Sequence, residues 1–280
     1  MKNIKIKCPA KINLTLEIVN KRKDGFHNIK SIMQMISLYD FLDINISESL
    51  KTTINLSGTS DEIPYDSRNL VYKAAELFLS EINKTAEINI HIEKHIPISA
   101  GLAGGSTDAA GTLFGLNNIF GKIFTKEQLH TLCSKLGSDL NVCLEGGCLL
   151  ATSRGEIIKP IKFVNMPVTL IKPKILGISA KEAYTKYSNK EFKPKNNMTE
   201  KMLSALEYGE DIRKYLYNDL EYAVFDDYKE LQTIKSKLPN SIMSGSGSTY
   251  FVLENIYPKF SDEYEIISDL KFIPTGVNQI

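Results

Sequence analysis

The sequence has no long apolar run and no excess of one charge. No stretch approaches the roughly 18 consecutive apolar residues of a membrane-spanning helix, and the first residues enter an alternating pattern without the apolar centre of a signal peptide. The formal net charge is +1, which predicts no basic surface for a nucleic acid or an anionic membrane. We therefore expect neither a nucleic-acid partner nor a membrane partner.

Cysteines are also few, and their spacing excludes the common cysteine-based sites. Cys8, Cys133, Cys143 and Cys148 form no C-x-x-C pair, so the sequence predicts no metal site and no dithiol redox motif. Four unpaired thiols are typical of a reducing compartment. We expect a cytoplasmic protein.

The chain is long enough for two ordinary domains or one large one. Strand and helix patterns occur in both halves, and a turn at residues 153–155 followed by Pro160 interrupts them near the middle. We predict an α+β protein of two lobes. The N-terminal domain spans residues 1–155, the C-terminal domain spans residues 156–280, and a ligand cleft lies between them.

Local patterns predict the elements near the candidate motifs. Residues 12–18 alternate as a half-buried strand, with Lys11 and Asn13 on its polar face. Ser67 is placed to cap a helix, and the capping box of Thr125 and Gln128 opens another. The second half predicts a strand at 167–171, helices near 179–187 and 210–238, a strand at 249–253, then a helix and a final strand. The Lys- and Asn-rich segment 186–201 predicts a mobile surface loop.

A stretch of small residues gives the strongest functional signal. Residues 97–107 read P-I-S-A-G-L-A-G-G-S-T, between a predicted strand and a helix predicted at 109–116. Glycines let backbone N–H groups approach a ligand, and a helix N-terminus favours an anion. The hydroxyls of Ser106 and Thr107 suit a phosphate oxygen or Mg²⁺. The stretch predicts a polyphosphate site, with tight packing of small residues as the alternative.

Other nucleotide-binding patterns do not match. Gly121 and Lys122 form the one Gly-Lys pair, but Ile123 follows them and no glycine stands five residues before, so a P-loop is excluded. The stretch has no G-x-G-x-x-G dinucleotide motif, and the protein-kinase signatures are missing.

Three segments resemble the motifs of the GHMP kinases, which phosphorylate galactose, homoserine, mevalonate and related alcohols. Residues 97–107 are similar to the P-x-x-x-G-L-G-G-G-S-S motif of that superfamily. Residues 9–16 (P-A-K-I-N-L-T-L) resemble its first motif, and residues 243–251 (M-S-G-S-G-S-T-Y-F) its third. The resemblance implies a two-lobed GHMP-kinase fold with the active site in the interlobe cleft.

Two further segments resemble the branch of the superfamily that acts on a cytidine-diphosphate alcohol in non-mevalonate isoprenoid biosynthesis. They are residues 24–27 (D-G-F-H) and residues 136–139 (L-G-S-D). The resemblance implies an ATP-dependent kinase that uses ATP and Mg²⁺ and takes a CDP-alcohol as its small-molecule substrate. A kinase for another alcohol, of the homoserine or mevalonate type, and a non-catalytic nucleotide-binding protein are the alternatives. We expect a monomer or a weak homodimer.

The resemblance also implies roles for individual residues. Asp139 takes the position of the base that accepts the alcohol proton, and Lys11 lies beside it; a helix N-cap and a solvated strand lysine are the alternatives. By resemblance, Asn13 bonds the substrate, Phe26 and Tyr184 stack on the base, and His27 hydrogen-bonds the cytosine edge. The acceptor end is bordered by Gly245, Ser246 and Gly247. Binding of ATP is implied for Asn69, Lys94, Pro97, Ile98, Ser99, Ala100, Gly101, Leu102, Ala103, Gly104, Gly105, Ser106 and Thr107.

The sequence departs from the pattern of the superfamily at several positions. Ala103 stands where glycine is usual, which suits the loop if its φ angle is negative. Asn141 stands where proline is usual, and we expect the turn that contains Asp139 to be looser as a result. Ser138 replaces an alanine and Ala180 replaces a threonine.

Overall fold

The structure is a computed structural model that describes residues 2–190 and 197–280. Its strands form two sheets, one of eight strands and one of four, and helices pack against both. The mixture of helices with largely antiparallel sheets confirms the predicted α+β class. Within the described residues, no helix is both long enough and apolar enough to cross a membrane.

The larger sheet is built on two long antiparallel strands, β1 (Lys2–Lys21) and β2 (His27–Glu48). Its other strands are β3 (Thr53–Gly58), β4 (Ala86–Glu93), β5 (Cys148–Ser153), β6 (Ile157–Pro160), β8 (Tyr217–Asn218) and β12 (Asn278–Gln279). The main order is β12–β1–β2–β4–β3, with β5 on β2, β6 on β5, and β8 parallel to β1. Strands from beyond residue 155 thus join this sheet, and the two-domain division stays a prediction.

The smaller sheet comes entirely from the second half of the chain. It contains β7 (Pro167–Pro173), β9 (Ile242–Met243), β10 (Tyr250–Val252) and β11 (Tyr264–Lys271). The strands are antiparallel in the order β11–β7–β10–β9. Its apolar side chains pack in a core shared with the middle of β1.

Eight α-helices lie in the described residues. They are α1 (Leu70–Glu81), α2 (Gly104–Ile119), α3 (Lys126–Leu136), α4 (Leu140–Glu145), α5 (Ala180–Asn189), α6 (Met198–Tyr208), α7 (Asp219–Val224) and α8 (Lys229–Lys237). Short 3-10 helices cover Ile212–Tyr215 and Phe225–Asp227. The central helix is α2, which packs against β1, α1 and α4.

Two predicted helix starts have different outcomes. The capping box of Thr125 and Gln128 is confirmed, since each side chain accepts the other's backbone N–H at the start of α3. The cap predicted at Ser67 is wrong, because Asn69 accepts the N–H of Val71 and begins α1. A turn closed by the Asn69 N–H on the Asp66 carbonyl delays the helix start.

The elements predicted for the second half need two corrections. In place of the single helix predicted near 210–238, the structure has four short helical elements. They are the 3-10 helix Ile212–Tyr215, then α7, then the 3-10 helix Phe225–Asp227, then α8. No helix follows the strand at 250–252, because side chains hold the next segment to the small sheet. Asn255 Nδ2 and the Tyr257 hydroxyl both donate to Asp269 Oδ1, at 2.8 and 2.7 Å. In the predicted mobile loop 186–201, the two ends belong to α5 and α6, while 191–196 lie outside the described residues.

β1 is buried on both faces, so the prediction of a half-buried strand is wrong. The apolar residues of segments 4–8 and 16–18 join the core that contains α1 and α2. Those of segment 10–14 join the core of the smaller sheet. Because one core lies on each side of the strand, its polar side chains are also enclosed.

Irregular pairing with β2 explains how β1 divides its side chains between the cores. The register shifts between Pro9 and Ala10 and again between Asn13 and Thr15. Such bulges re-aim side chains and are common beside active sites. Lys11 and Asn13 consequently lie on the side of the first core, where α2 and α4 begin.

Candidate active site

A cavity of about 750 Å³ opens where β1, the α2 and α4 N-termini, α5 and a loop before β10 meet. Its volume suits a drug-sized or cofactor-sized ligand. The structure brings eleven of the predicted site residues to its wall: Lys11, Asn13, Phe26, His27, Gly101, Ala103, Ser106, Asp139, Tyr184, Gly245 and Ser246.

Lys11 and Asp139 meet at the centre of this cavity. Lys11 Nζ lies 3.4 Å from Asp139 Oδ2, and the lysine is almost wholly buried at 3% exposure. Asp139 occupies the N-cap position of α4, but its side chain makes no capping hydrogen bond. The carboxylate is thus left facing the cavity, and Lys11 is not a solvated strand lysine.

Hydrogen bonds orient the Lys11 ammonium from two further sides. It donates to Asn13 Oδ1 at 2.7 Å and to the Gly101 carbonyl at 3.2 Å. Asn13 Nδ2 in turn donates to Ser31 Oγ at 2.9 Å, and Ser31 Oγ donates to the Thr15 carbonyl. This chain of bonds fixes the amide orientation of Asn13 and leaves Lys11 little freedom to turn away from Asp139.

Gly101 sits where two loops touch. Its φ angle is +74°, and a Cβ atom there would lie 2.0 Å from the Ser244 carbonyl oxygen. The Gly101 carbonyl also accepts a hydrogen bond from Ser244 Oγ at 3.0 Å. Any side chain at this position would push apart the glycine-rich loop and the loop at 244–247, which explains why the sequence has glycine here.

The helix after the loop begins earlier than the sequence indicated. α2 starts at Gly104 instead of near Ala109, so the last glycines of the stretch form the first helical turn. Its N-cap residue, Ala103, has φ +59° and ψ 28°, in the left-handed region. The condition of a negative φ is therefore not met, because the chain turns sharply from the loop into the helix. For an alanine, this conformation is strained.

Lys94 lies beneath the loop in a buried cluster of charges. Its ammonium is hydrogen-bonded to Asp40 and lies 2.9 Å from Asp108 Oδ2. Asp40 also accepts the backbone N–H groups of His95 and Ile96 at 2.6 and 2.9 Å. Burial raises the pKa of the Asp108 carboxyl to about 7, against the opposing effect of Lys94. These contacts support the first turn of α2 from below.

Several residues predicted to bind ATP lie away from the cavity wall. Asn69 caps α1 and donates to the Pro64 carbonyl at 2.7 Å. Thr107 is fully buried, and Lys94 is engaged in its ion pairs. Contact with ATP stays a prediction for these residues and for the remainder of the loop: Pro97, Ile98, Ser99, Ala100, Leu102, Gly104 and Gly105.

Aromatic residues lie together at one end of the cavity. The His27 ring stacks on Tyr184, with centroids 5.1 Å apart and planes 18° apart. Ser188 Oγ lies 3.2 Å from His27 Nε2. Burial, together with the charge of Lys21, lowers the pKa of the His27 imidazole. Phe26 is 53% exposed at the cavity mouth, so its ring has room for a flat ligand.

The loop at 244–247 closes the opposite side. Gly245 and Ser246 line the cavity, whereas Gly247 packs against Met243 and Ile178 instead. Asn218 Nδ2 donates to the carbonyls of Met243 and Gly245, at 2.7 and 2.8 Å. This buried asparagine, which the sequence patterns did not single out, fixes the loop shape.

The sequence patterns also did not indicate three cationic residues of the cavity wall. Lys21, Arg154 and Lys181 line the cavity. Arg154 belongs to the turn at residues 153–155, which the sequence indicated solely as an interruption of the pattern. The signal that was present is its place in a turn, since binding residues are often found on loops.

Asn141 supports the position of Asp139 in a way that the sequence did not predict. Its Nδ2 donates to Ser134 Oγ at 2.9 Å and to the Glu156 carbonyl at 2.8 Å. Its Oδ1 lies 3.2 Å from His130 Nδ1, which donates in that contact because an amide oxygen only accepts. These bonds hold the first turn of α4, so a looser turn is not what the structure shows.

The fold and the site together define a kinase class. A family model described as "GHMP kinases N terminal domain" matches residues 69–147, which include α2 and Asp139. A homoserine kinase structure from Cytophaga hutchinsonii has a TM-score of 0.77 over 100% of this chain and 98% of its own, at 15% identity. At that identity the likeness shows the fold alone.

More similar relatives narrow the class. A 4-diphosphocytidyl-2-C-methyl-D-erythritol kinase from Synechococcus sp. (strain JA-2-3B'a(2-13)) is 41% identical over 86% of this chain and 82% of its own length. One from Clostridium botulinum (strain Kyoto / Type A2) is 40% identical over 88% and 89%. A crystal structure of 4-(cytidine 5'-diphospho)-2C-methyl-D-erythritol kinase has a TM-score of 0.72 and 30% identity over 89% and 90%. The chain belongs to the 4-diphosphocytidyl-2-C-methyl-D-erythritol kinase family of the GHMP kinases.

Proposed function

We propose that this protein transfers the terminal phosphoryl group of ATP to a hydroxyl of 4-diphosphocytidyl-2-C-methyl-D-erythritol, in non-mevalonate isoprenoid precursor biosynthesis. The proposal rests on the Lys11–Asp139 pair at 3.4 Å, inside a cavity with aromatic residues at its far end. The names of the similar relatives support the same substrate. The enzyme is an ATP-dependent phosphotransferase with an alcohol group as acceptor.

Asp139 is the base in this proposal. Phosphoryl transfer needs the alcohol proton to be accepted and the charge on the transferred group to be stabilised in line. The Asp139 carboxylate makes no capping bond and faces the cavity, so it is available to accept that proton. Lys11 is held in place by its bonds to Asn13 and Gly101, and it orients the carboxylate through their ion pair at 3.4 Å.

The glycine-rich loop and the α2 N-terminus hold the phosphates of ATP. Gly101, Ala103 and Ser106 line the cavity where the first backbone N–H groups of α2 are unpaired by the helix itself. The helix dipole adds a favourable field for the anion. Asn69, Lys94 and the remaining loop residues are proposed to complete this site.

Mg²⁺ is the metal that the donor set fits. The Ser106 hydroxyl on the cavity wall is a hard oxygen ligand, and Mg²⁺ usually keeps several waters and is held together with substrate phosphates. When bound, the ion neutralises charge on the ATP phosphates. Ser106 is the residue of this chain that would hold it.

The aromatic end takes the cytosine. Phe26 and Tyr184 are proposed to stack on the base and His27 to hydrogen-bond its polar edge. The low pKa of His27, caused by burial and then by Lys21, favours a neutral imidazole with one donor and one acceptor nitrogen. Asn13, Gly245, Ser246 and Gly247 are proposed to border the alcohol end. A cytoplasmic location and a monomer or weak homodimer stay predictions.

A turnover assay tests the proposal. ATP consumption is measured with Mg²⁺ and three alcohols in parallel: 4-diphosphocytidyl-2-C-methyl-D-erythritol, mevalonate and homoserine. We expect turnover with the first alone, because the other two have no base for the aromatic end. Comparable turnover of mevalonate or homoserine would replace this function with the alternative of a GHMP kinase for a simpler alcohol.

A further inference from the structure

Positive charge exceeds negative charge on the cavity wall. Lys11, Lys21, Arg154 and Lys181 face a single carboxylate, that of Asp139. Lys11 is engaged with this carboxylate, whereas Lys21 and Lys181 form no ion pair within the described residues. Such a wall attracts an anionic ligand, and the proton-transfer pair does not account for its three other cations.

Arg154 is the cation with the most specific surroundings. Its guanidinium carbon lies 5.2 Å from the centroid of the Phe26 ring. Its Nε contacts Glu156 Oε1 at a long 3.4 Å, while the Glu156 carboxylate also accepts the Ser153 hydroxyl and the Arg154 backbone N–H. In the part of the chain that the structure describes, no residue accepts a hydrogen bond from the two Nη groups of Arg154. These are the donors that match an anion with two oxygens.

A second arginine holds the two turns that meet here. Arg22 Nη1 donates to Ser153 Oγ at 3.1 Å, in the turn before Arg154. The same guanidinium pairs with Asp24 at 3.0 Å, in the turn before Phe26. Arg22 is therefore neutralised and structural, and it keeps Arg154 beside Phe26 at the mouth of the cavity.

The position of Arg154 lies between the two ends of the site. On one side is Phe26, at the aromatic end. On the other, the next residue, Gly155, is so close to Asp139 that a Cβ atom on it would lie 3.8 Å from Asp139 Oδ1. The order along the wall is thus aromatic end, Arg154, reacting end. A CDP-alcohol has its parts in the same order: base, diphosphate, alcohol.

We propose that Arg154 binds the diphosphate of the nucleoside-diphosphate substrate through its free Nη groups and so selects a cytidine diphosphate over an uncharged nucleoside. The inference rests on the proposed function, which puts the base at Phe26 and the alcohol at Asp139. A planar guanidinium donates two parallel hydrogen bonds to phosphate oxygens, which a lysine does not reproduce. Before substrate binds, the Phe26 ring stabilises the cation in place.

Calorimetric binding of CDP and of cytidine to the full-length protein tests this assignment without requiring turnover. For Arg154→Gln we expect the Kd of CDP to rise about 10- to 100-fold, as for a lost charge-assisted contact. The Kd of cytidine should change less than about 3-fold, which also reports that the aromatic end is folded. Arg154→Lys, which keeps the charge, should give an intermediate Kd for CDP.

Lys159→Gln is the matched control, because it removes one exposed cation from the neighbouring strand β6 without touching the cavity. It should leave both Kd values within about 2-fold of wild type. An equal loss of CDP and cytidine affinity in Arg154→Gln would mean that the guanidinium stacks on the base. The proposal that it binds the diphosphate would then be wrong. Unchanged CDP binding would overturn it as well.

Steady-state kinetics separates this inference from the proposed function. In Arg154→Gln, the KM for the cytidyl substrate should rise about 10-fold or more while kcat and the KM for ATP stay within about 3-fold, because binding and not chemistry is lost. If wild type itself does not phosphorylate the cytidyl alcohol, the proposed function fails. If wild type does so and the CDP-to-cytidine preference survives in Arg154→Gln, only the Arg154 assignment fails.

Discussion

Asn141 Nδ2 donates to the Glu156 carbonyl oxygen at 2.8 Å, and this bond joins the first turn of α4 to the turn that contains Arg154. Asp139 precedes α4 directly, so the same bond holds the proposed base against the cavity wall. The proposed base and the proposed phosphate-binding arginine therefore share one support. Neither residue makes that bond itself.

Removal of this support should cost stability and activity together. In Asn141→Ala, the Ser134 and Glu156 partners lose their donor, and we expect the free energy of unfolding to fall by about 1–3 kcal/mol. Turnover should fall by about 10-fold or more, because small misplacements of a reacting group are costly. Chemical denaturation and ATP consumption measure the two effects. Asn118→Ala, at a half-buried asparagine on α2, should change neither by a comparable amount.

The proposed base gives the sharpest activity prediction. Asp139→Asn keeps the shape of the side chain but cannot accept the alcohol proton, and we expect kcat to fall by about 10²–10⁴-fold. The KM values should stay close to those of wild type. Steady-state ATP consumption measures the change, and Asp61→Asn, at an exposed carboxylate in a turn, is the control. A kcat that survives the substitution would favour the non-catalytic interpretation of the fold.

The strained alanine of the loop predicts a substitution that raises the stability of the protein. Ala103 is held at φ +59°, where a residue with a Cβ atom is disfavoured by about 1–2 kcal/mol. Ala103→Gly relieves that strain but loses about 0.4–1 kcal/mol through the more flexible unfolded chain. We expect a net gain of about 0.5–1 kcal/mol and a Tm about 1–3 °C higher by calorimetry.

Ala180→Gly provides the comparison for that variant. Ala180 is the exposed first residue of α5, where the backbone is helical, so glycine should lower the stability by about 0.5–1 kcal/mol. Equal effects of the two substitutions would show that the conformation at Ala103 has no energetic cost.

The buried charges under the loop predict how stability depends on pH. Burial raises the pKa of Asp108 from 3.8 in the unfolded chain to about 7 in the fold. Between these two pH values, Asp108 is protonated in the folded protein but ionised in the unfolded chain. Its protonation therefore contributes to the free energy of unfolding at low pH, and this contribution is lost as pH rises to about 7. Asp108→Asn should remove this fall in stability between about pH 4 and pH 7.

Urea unfolding at several pH values measures that slope. The wild-type free energy of unfolding should drop more steeply over this range than that of Asp108→Asn, by more than about 1 kcal/mol in total. Asp43→Asn, at an exposed carboxylate of β2, should leave the wild-type slope in place. Parallel curves for wild type and Asp108→Asn would mean that Asp108 is ionised in the fold throughout the range.

Local pattern was sufficient where neighbours in the chain decide the structure. The capping box of Thr125 and Gln128 needs only its own turn, and it formed as predicted. The glycine-rich stretch also led to a helix N-terminus, although α2 begins earlier than predicted because Gly104 and Gly105 adopt helical geometry. The alternating pattern of β1 gave the strand but not its burial, since a period of two does not reveal a second core on the polar face.

Patterns were insufficient where distant segments compete for the same backbone. The helix predicted after residue 253 did not form, because Asn255 and Tyr257 bond Asp269 on β11. Ser67 is not the cap for a different, local reason: a turn closed by the Asn69 N–H on the Asp66 carbonyl moves the helix start to Asn69. Sequence patterns assigned no role to Arg154. Its proposed role depends on its proximity in space to Phe26, which is remote in the chain.

The sequence by itself determined the class of this protein, because three short motifs and their order persist whatever the surrounding structure does. It also singled out Lys11 and Asp139. Only the tertiary structure decided that the two meet at 3.4 Å, that Lys94 lies in a buried ion-pair cluster, and that Arg154 lies between the aromatic and reacting ends. The physical reason is that motifs record local chemistry, whereas burial and charge pairing depend on bulges, turns and sheets that bring remote residues together.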